Sequence, residues 1–155
     1  MIVNVIKGNL IEEFKNYKYK AIIQGCNCFN TMGSGIAISL RKEFSGVYQA
    51  DTDFCKDVTN PVDRLGTYSY CYTKYGIIIN LYTQFKYGTD KRHVSYDAIA
   101  DGFEKLNSIK LFHNKERLIG IPKIGAGLGG GNWNIIYKII DEVTPNLNIE
   151  VVEFE

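Results

Sequence analysis

One stretch of sequence decides the fold: residues 121–133 are Ile121-Pro122-Lys123-Ile124-Gly125-Ala126-Gly127-Leu128-Gly129-Gly130-Gly131-Asn132-Trp133. A short apolar run at residues 118–121 predicts a buried strand, and apolar residues at helical spacing follow from about Asn132. Five glycines within seven residues join the two. Glycine backbone takes positive φ and approaches a ligand closely, and amides beside a helix N-terminus suit phosphate. The stretch therefore predicts a loop that binds a phosphate or diphosphate.

Residues 125–131 are called the second glycine loop below, because a similar loop occurs earlier in the chain. Two familiar phosphate-binding motifs do not match its sequence. No Gly-Lys-Ser or Gly-Lys-Thr sequence closes it, as a Walker motif requires. It lies near the C-terminus, and no acidic residue follows at the distance that a dinucleotide-binding fingerprint needs. An ordinary flexible surface loop is the competing interpretation, but the well-formed strand before the glycines and the helix after them favour a binding loop.

A first glycine loop, residues 25–35, follows an earlier apolar strand and contains Cys26-Asn27-Cys28 and Gly33-Ser34-Gly35. The latter triplet opens a predicted helix, which makes this loop another potential anion site. Asn27 comes just after a buried strand, where its amide can either bond a sugar hydroxyl in both directions or only stabilise its own turn. Two such loops at two helix N-termini suggest a ligand with two phosphates or a sugar-linked diphosphate.

Hydrophobic periodicity predicts an alternation of strands and helices. Strands are expected at residues 2–6, 19–24, 67–72, 77–82, 118–121 and 149–154. Helices are expected at residues 11–14, 33–44, 47–56, 95–109 and 133–143. Several strands are apolar on both faces, which favours an α/β fold with a mixed, largely parallel sheet and helices on both sides. Ligands bind beyond the carboxyl ends of such strands, where both glycine loops and the polar loop at residues 86–94 would converge.

Length, charge and cysteine content exclude several classes of protein. The 155 residues predict a single domain, 1–155. The net charge of +1 indicates no strong electrostatic attraction to nucleic acid or to an anionic membrane. Four cysteines without zinc-site spacing and only two histidines predict neither a metal nor a cofactor. No apolar run approaches membrane-spanning length and the N-terminus enters a strand directly, so we expect a cytoplasmic monomer.

The two glycine loops together resemble those of the macrodomains, a family of ADP-ribose-binding modules. The resemblance rests on Asn27 with Gly33-Ser34-Gly35-Ile36-Ala37, on residues 121–131, and on the opening Lys7-Gly8-Asn9-Leu10. It covers essentially the whole chain and implies a three-layer α/β/α sandwich. Cys26-Asn27-Cys28 and residues 80–84 are most similar to the branch that holds yeast-type ADP-ribose 1″-phosphate phosphatases and the vertebrate terminal ADP-ribose glycohydrolase.

The resemblance implies a set of contacts with the ligand. Asn9 would face the adenine amino group, and Leu10 would supply a backbone amide. Phe154 would cover the adenine, unless it packs in the core. Asn27 would hold the distal ribose hydroxyls near C1″. The other implied contacts surround the phosphates and the distal ribose: Met32, Gly33, Ser34, Gly35, Ile36, Ile124, Gly125, Ala126, Gly127, Leu128, Gly129 and Gly130.

Departures from the family leave the chemistry open. The vertebrate glycohydrolase works with a lysine and an aspartate where this chain has Gln84 and Gly129, and the yeast-type phosphatase has a histidine in place of Gln24. Glutamine cannot form a covalent sugar adduct as an amine does, and glycine supplies no base. His93 as general acid or base and Asp90 as its orienting partner are candidates, unless their loop is only a solvated surface. The remaining candidate catalytic residues are Asn27 and Gln84, the latter to position a water.

The expected function is to bind an ADP-ribose derivative, a small molecule, and to hydrolyse ADP-ribose 1″-phosphate to ADP-ribose and phosphate without a metal. The substrate's own phosphate is then a possible base, and loop amides would stabilise the developing charge. Two alternatives stay open. One is a glycohydrolase that removes ADP-ribose from protein or nucleic acid, and the other is a binding module without catalysis.

Overall fold

A computed structural model describes residues 1–88 and 90–154 of the chain. Within them, one sheet holds β1 (Ile2–Gly8), β2 (Tyr19–Asn27), β3 (Tyr68–Thr73), β4 (Gly76–Gln84), β5 (Leu118–Ile121) and β6 (Ile149–Phe154). The strand order is β1-β6-β5-β2-β4-β3. Every neighbouring pair is parallel except β3 with β4, which is an antiparallel hairpin. The predicted mixed, largely parallel sheet is therefore confirmed.

Helices cover both faces of this sheet. They are α1 (Leu10–Lys15), α2 (Ile36–Glu43), α3 (Ser45–Asp57), α4 (Tyr96–Asn107) and α5 (Trp133–Val143), with short 3-10 helices at Pro61–Arg64 and Lys110–His113. Apolar residues of α4 and α5 pack on one face of the sheet, and those of α1, α2 and α3 pack on the other. These two cores give the expected three-layer sandwich. None of the helices in the described part of the chain is long and apolar enough to span a membrane.

The sequence signals for α4 were strong, and the structure follows them. The Ser95 hydroxyl accepts a hydrogen bond from the Ala98 amide at 3.1 Å, which satisfies one of the donors left open at the start of a helix. Ile99, Phe103 and Leu106 form the apolar stripe of the helix and are completely buried. This helix fixes the end of the loop that follows β4, because the Ser95 amide also donates to the Thr83 carbonyl at 2.7 Å.

Several strands extend beyond their predicted ends, and the extensions of β2 and β4 carry residues of the site. β2 continues to Asn27 rather than ending at Gln24, and β4 continues to Gln84 rather than ending at Tyr82. The reason is tertiary, since the two strands go on pairing until Asn27 lies opposite Gln84. Both side chains are therefore carried by neighbouring strand ends at the carboxyl edge of the sheet.

The helix predicted from residue 33 begins later than expected. Its first residue is Ile36, and Gly35 precedes it with a φ of 58°, in the left-handed region that favours glycine. Gly33, Ser34 and Gly35 are thus a loop segment that leads into α2. This places their backbone at the edge of the sheet where a ligand is expected.

Candidate ligand-binding cleft

Two cavities lie at the carboxyl edge of the sheet. The proximal cavity, of about 690 Å³, is bounded by the start of α1 and the end of β6. The distal cavity, of about 660 Å³, is bounded by the ends of β2 and β4 and by the second glycine loop. The two cavities share wall residues, namely Gly35, Ile36, Pro122, Lys123 and Gly127. They are therefore parts of one continuous cleft that runs between the two glycine loops, with room for an elongated ligand.

The start of α2 lies where the two cavities meet. Its N-cap residue is Gly35, which has no side chain to accept a hydrogen bond from the first-turn amides. The start of α5 differs, because the Asn132 side chain accepts from the amides of Asn134 and Ile135. Open first-turn amides and the positive end of the helix dipole favour an anion. Of the two helix starts, α2 is therefore the better anion site.

The proximal cavity holds the predicted residues Asn9, Leu10 and Phe154. The Oδ1 atom of Asn9 caps α1 by accepting from the amides of Ile11 and Glu12 at 3.0 and 3.1 Å. Its side-chain amide hydrogens, rather than its oxygen, thus remain for a ligand. The Phe154 side chain is 85% exposed, so core packing is excluded as its role. An exposed aromatic ring on a cavity wall is suited to stacking on a base.

Asn27 lies in the wall of the distal cavity, with its amide tied into the loop. Its Nδ2 atom donates to the carbonyl and to the hydroxyl of Thr31, at 3.2 and 2.7 Å. Its Oδ1 atom accepts from the Phe29 amide at 2.8 Å. The turn-stabilising role is therefore present, and both amide hydrogens are committed. What Asn27 offers a ligand in this arrangement is one further acceptor position on Oδ1.

Gln84 and Gly129 face each other in the distal cavity. A Cβ atom on Gly129 would lie 3.1 Å from Gln84 Oε1 and 3.0 Å from the Gly125 carbonyl oxygen. The Gln84 amide nitrogen donates to the Lys86 carbonyl at 2.7 Å, so the side-chain oxygen is the part that remains open. Gln84 and Gly129, two positions that the sequence singles out, are thus adjacent in space, and neither carries an ionisable group.

His93 and Asp90 form a pair, but neither belongs to a described cavity wall. His93 Nε2 lies 2.8 Å from Asp90 Oδ1, and this hydrogen bond lowers the pKa of the Asp90 carboxyl. The His93 backbone amide donates to the Gly129 carbonyl at 3.0 Å. The backbone of His93 therefore contacts the second glycine loop, and the two side chains lie beside Gly88, a residue of the distal cavity wall, where a Cβ would be 3.0 Å from Asp90 Oδ1 and 3.3 Å from His93 Nε2. A direct catalytic role for either side chain stays a prediction, and the observed contact is structural.

Two other predicted ligand residues lie away from the cavity walls. Met32 is 2% exposed and packs in the core between the sheet and α2, because an apolar side chain in this loop has an apolar layer to turn into. Gly130 lies against the backbone of Arg92. A Cβ atom on Gly130 would lie 3.2 Å from the Arg92 Cα. The other predicted ligand residues line the cleft: Asn9, Leu10, Asn27, Gly33, Ser34, Gly35, Ile36, Ile124, Gly125, Ala126, Gly127, Leu128, Gly129 and Phe154.

Several residues of the cleft were not found from the sequence. Lys123 lies at the junction of the cavities, with its ammonium group 3.2 Å from the Glu153 carboxylate. Thr31, Thr83 and Tyr87 belong to the distal cavity. Their position in the sequence is the available signal, since Thr83 is next to the end of a buried strand and Lys123 follows another after a single proline.

The thiol in the distal cavity is not an activated nucleophile. Cys26 lies in the cavity wall but is only 6% exposed. Burial raises the pKa of the Cys26 thiol well above its usual range, and the nearby Asp51 carboxyl acts in the same direction. A protonated, buried thiol is a weak nucleophile. The other polar groups of this cavity are amides, hydroxyls and backbone, together with the Lys123 ammonium at the junction with the proximal cavity.

The chain is similar in sequence to proteins of a phage, a bacterium and a yeast. An uncharacterised 17.5 kDa protein from the tk-vs intergenic region of Enterobacteria phage T4 is 39% identical over 160 residues, which cover 100% of this chain and 98% of that protein. The DNA ADP-ribosyl glycohydrolase of Thermus aquaticus is 26% identical over 99% of this chain, which spans 41% of that protein. The ADP-ribose 1″-phosphate phosphatase of Debaryomyces hansenii is 24% identical over 97% of this chain and 98% of that protein. No protein-family model matches the chain.

Solved structures show the same fold. The macrodomain of Thermus aquaticus DarG superposes with a TM-score of 0.77 at 24% identity, over 100% of this chain and 98% of that one. The macrodomain of Mycobacterium tuberculosis DarG superposes with a TM-score of 0.79 at 20% identity, over 98% of this chain and 97% of that one. The strand order and the two helical layers described above are therefore those of a known α/β/α architecture.

Proposed function

Because the chain belongs to the macrodomain family, we propose that it binds ADP-ribose derivatives and hydrolyses ADP-ribose 1″-phosphate to ADP-ribose and phosphate. Two yeast relatives named for this activity share 22% and 24% identity with the chain over 97% of its length. The names of these two relatives and the name of the bacterial glycohydrolase all describe hydrolysis of an ADP-ribose derivative. The choice of substrate within this class rests on the residues of the distal cavity.

The observation that carries the proposal is the uncapped start of α2 at the junction of the two cavities. A diphosphate in the middle of an elongated ligand would receive hydrogen bonds from the amides at Ile36 and Ala37 and from the second glycine loop. The base at one end would then lie in the proximal cavity against Phe154. The distal ribose at the other end would lie in the distal cavity beside Asn27 and Gln84.

The distal cavity favours a phosphatase over a lysine-dependent glycohydrolase. Its open side-chain acceptors are the Oδ1 atom of Asn27 and the Oε1 atom of Gln84, which can orient a ribose hydroxyl and a water. In the hydrolysis, water adds to phosphorus, the bond from phosphorus to the C1″ oxygen breaks, and one water proton passes to that oxygen. The substrate phosphate accepts the proton in transit, and backbone amides stabilise the growing negative charge. With no ionisable side chain at positions 84 and 129, the expected turnover is slow.

A phosphate-release assay with purified protein and ADP-ribose 1″-phosphate tests the proposal. The expected result is metal-independent turnover together with calorimetric binding of ADP-ribose, the product. Binding of ADP-ribose without phosphate release above background would contradict the phosphatase and leave a binding module. A mock preparation from cells that carry the empty expression vector, purified in the same way, controls for contaminating phosphatases.

A second candidate is removal of ADP-ribose from DNA. The relative named DNA ADP-ribosyl glycohydrolase has 26% identity with this chain, which spans 41% of its length. Mass spectrometry of ADP-ribosylated DNA and of ADP-ribosylated glutamate, before and after incubation, separates this activity from the phosphatase. Loss of ADP-ribose from DNA, with no release of phosphate from ADP-ribose 1″-phosphate, would favour the glycohydrolase.

Phe154→Ala is expected to weaken ADP-ribose binding by about ten- to a hundredfold, because stacking of a base on an aromatic ring is worth roughly 1–3 kcal/mol. The unfolding temperature should not change, since the ring is 85% exposed. Tyr72→Ala is the matched control, because that ring is 73% exposed on the edge strand β3 and lies outside the cleft. Equal affinities for the Phe154 variant and the wild type would remove Phe154 from the site.

A further inference from the structure

One hydroxyl in the wall of the distal cavity has no hydrogen-bond partner. Among the described residues, the buried side-chain atoms without a partner are Gln24 Oε1 and Thr83 Oγ1. Gln24 is enclosed in the sheet, where its amide donates to Asn80 at 2.9 Å. Thr83 is different, because it is 1% exposed and belongs to the wall of the cavity. A buried polar group without a partner costs free energy, so it calls for a function.

The surroundings of Thr83 hold this hydroxyl in place. The Thr83 carbonyl accepts from the Ser95 amide at 2.7 Å, which fixes the backbone at the end of β4. A Cβ atom on Gly25 would lie 2.9 Å from Thr83 Oγ1 and 3.0 Å from Ile124 Cγ2. Any side chain at position 25 would therefore press on the hydroxyl. Glycine at this position leaves space beside the Thr83 hydroxyl, and both residues belong to the cavity wall.

The hydroxyl supplies what the neighbouring amides lack. Both amide hydrogens of Asn27 are committed to Thr31, and the Gln84 amide nitrogen donates to the Lys86 carbonyl. These two side chains thus present oxygen acceptors to the cavity, which suit ribose hydroxyls. An anionic oxygen needs a donor instead, and the Thr83 hydroxyl is a buried donor that is not committed elsewhere.

We propose that the Thr83 hydroxyl donates a hydrogen bond to an anionic oxygen of the group carried on C1″ of the distal ribose, and that it thereby selects ligands with a phosphate at this position. The inference rests on the proposed function for the identity of the ligand. Thr83 is in this view a specificity-determining residue, because ADP-ribose without the terminal phosphate leaves the hydroxyl unused.

Thr83→Val tests the inference, since valine keeps the shape of threonine and removes the hydroxyl. We expect kcat/KM for phosphate release from ADP-ribose 1″-phosphate to fall at least about tenfold, as for loss of a hydrogen bond to a charged group. The dissociation constant for ADP-ribose should change less than about twofold, on the order of measurement error in an affinity comparison. Thr83→Ser should restore turnover, and Thr83→Ala serves if the valine variant does not fold.

Thr144→Val is the matched control. Thr144 is also completely buried, but its hydroxyl donates to the Ile140 carbonyl at 2.6 Å and lies outside the cleft. This variant should lower the unfolding temperature and leave the discrimination between the two ligands unchanged. Thr83→Val should do the reverse, because it removes a hydroxyl that has no hydrogen-bond partner among residues 1–88 and 90–154.

The result that would overturn the inference is unchanged kcat/KM in Thr83→Val, or an equal loss of affinity for both ligands. If the wild type releases no phosphate, the phosphatase proposal fails, and the intact ADP-ribose 1″-phosphate then allows its dissociation constant to be measured directly by calorimetry. An unchanged constant in Thr83→Val would overturn the role of Thr83. A selectively weakened one would support that role in a protein that only binds the phosphorylated ligand.

Discussion

Replacing Asn27 by alanine is expected to lower kcat/KM for phosphate release about a hundredfold, because a small misplacement of the reacting group has effects of this order. The change removes the Oδ1 acceptor that, on the proposed function, would contact the distal ribose. It also removes three hydrogen bonds that hold the first glycine loop, two to Thr31 and one from Phe29. Affinity for ADP-ribose should fall less, since the proximal cavity and the start of α2 remain intact.

Two further variants divide the effect of Asn27→Ala into its parts. Asn27→Asp keeps an acceptor for the Phe29 amide and loses the two donors to Thr31, so it tests the loop contacts and adds a negative charge near the substrate phosphate. Asn134→Ala, on the exposed surface of α5, is the control for asparagine replacement away from the cleft. If Asn27→Ala turns over within about threefold of the wild type, Asn27 only stabilises its own turn and does not contribute to the rate of phosphate release.

The layered fold could be predicted because its signals are local. The Ser95 cap and the stripe of Ile99, Phe103 and Leu106 are all readable within one segment, and α4 forms where they indicate. The ends of β2 and β4 carry no such signal. Residues 25–27 mix a glycine, a thiol and an amide, and they become strand because β4 lies alongside and pairs with them. Pairing between distant segments is a tertiary effect that periodicity does not contain.

The location of the cleft could be predicted more readily than the side chains that line it. Glycines of both loops lie on its walls because loops after parallel strands meet at one edge of the sheet. The direction of each side chain within a loop depends on backbone angles that composition does not reveal. For this reason the core position of Met32 could not be predicted. The residue type of Thr83 carries no signal in the sequence, because a threonine within a strand is common.

One signal that distinguishes the two glycine loops was present in the sequence. Asn132 is a residue type favoured at N-caps, and its side chain does cap α5. Gly35 precedes α2 and leaves the first-turn amides without a side-chain acceptor. The two helix starts therefore differ in chemistry, although the glycine pattern alone predicts equivalent phosphate sites. The first loop supplies open helix amides, whereas the second supplies backbone that lines the cleft.

Gly125→Ala is expected to destabilise the protein by about 2–5 kcal/mol, which combines the cost of a left-handed alanine with the cost of overpacking. Gly125 has a φ of 75°, and a Cβ atom there would lie 2.6 Å from Val94 Cγ2 and 3.2 Å from Ile136 Cδ1. Val94 and Ile136 are both buried, so neither can move into solvent. Thermal unfolding should show a midpoint lower by roughly 10 °C for a chain of this size.

Gly127→Ala is the matched variant two residues further along the same loop. No heavy atom lies within 4 Å of the position that its Cβ would take, and its φ is outside the left-handed region. Stability should therefore stay within about 0.5 kcal/mol of the wild type. Gly127 lies in the wall of both cavities, so the added methyl group enters the cleft at their junction, and affinity for ADP-ribose should fall on the order of tenfold.

The pair of variants separates two reasons for a glycine in this loop. Gly125 is required by the fold, because a side chain would press on buried residues behind the loop. On the proposed function, Gly127 is required by the ligand, because the diphosphate would pass through the space beside it from one cavity to the other. A Gly127→Ala variant that binds ADP-ribose as the wild type does would place the diphosphate elsewhere. A Gly125→Ala variant with an unchanged unfolding midpoint would mean that the loop has room to move away from Val94.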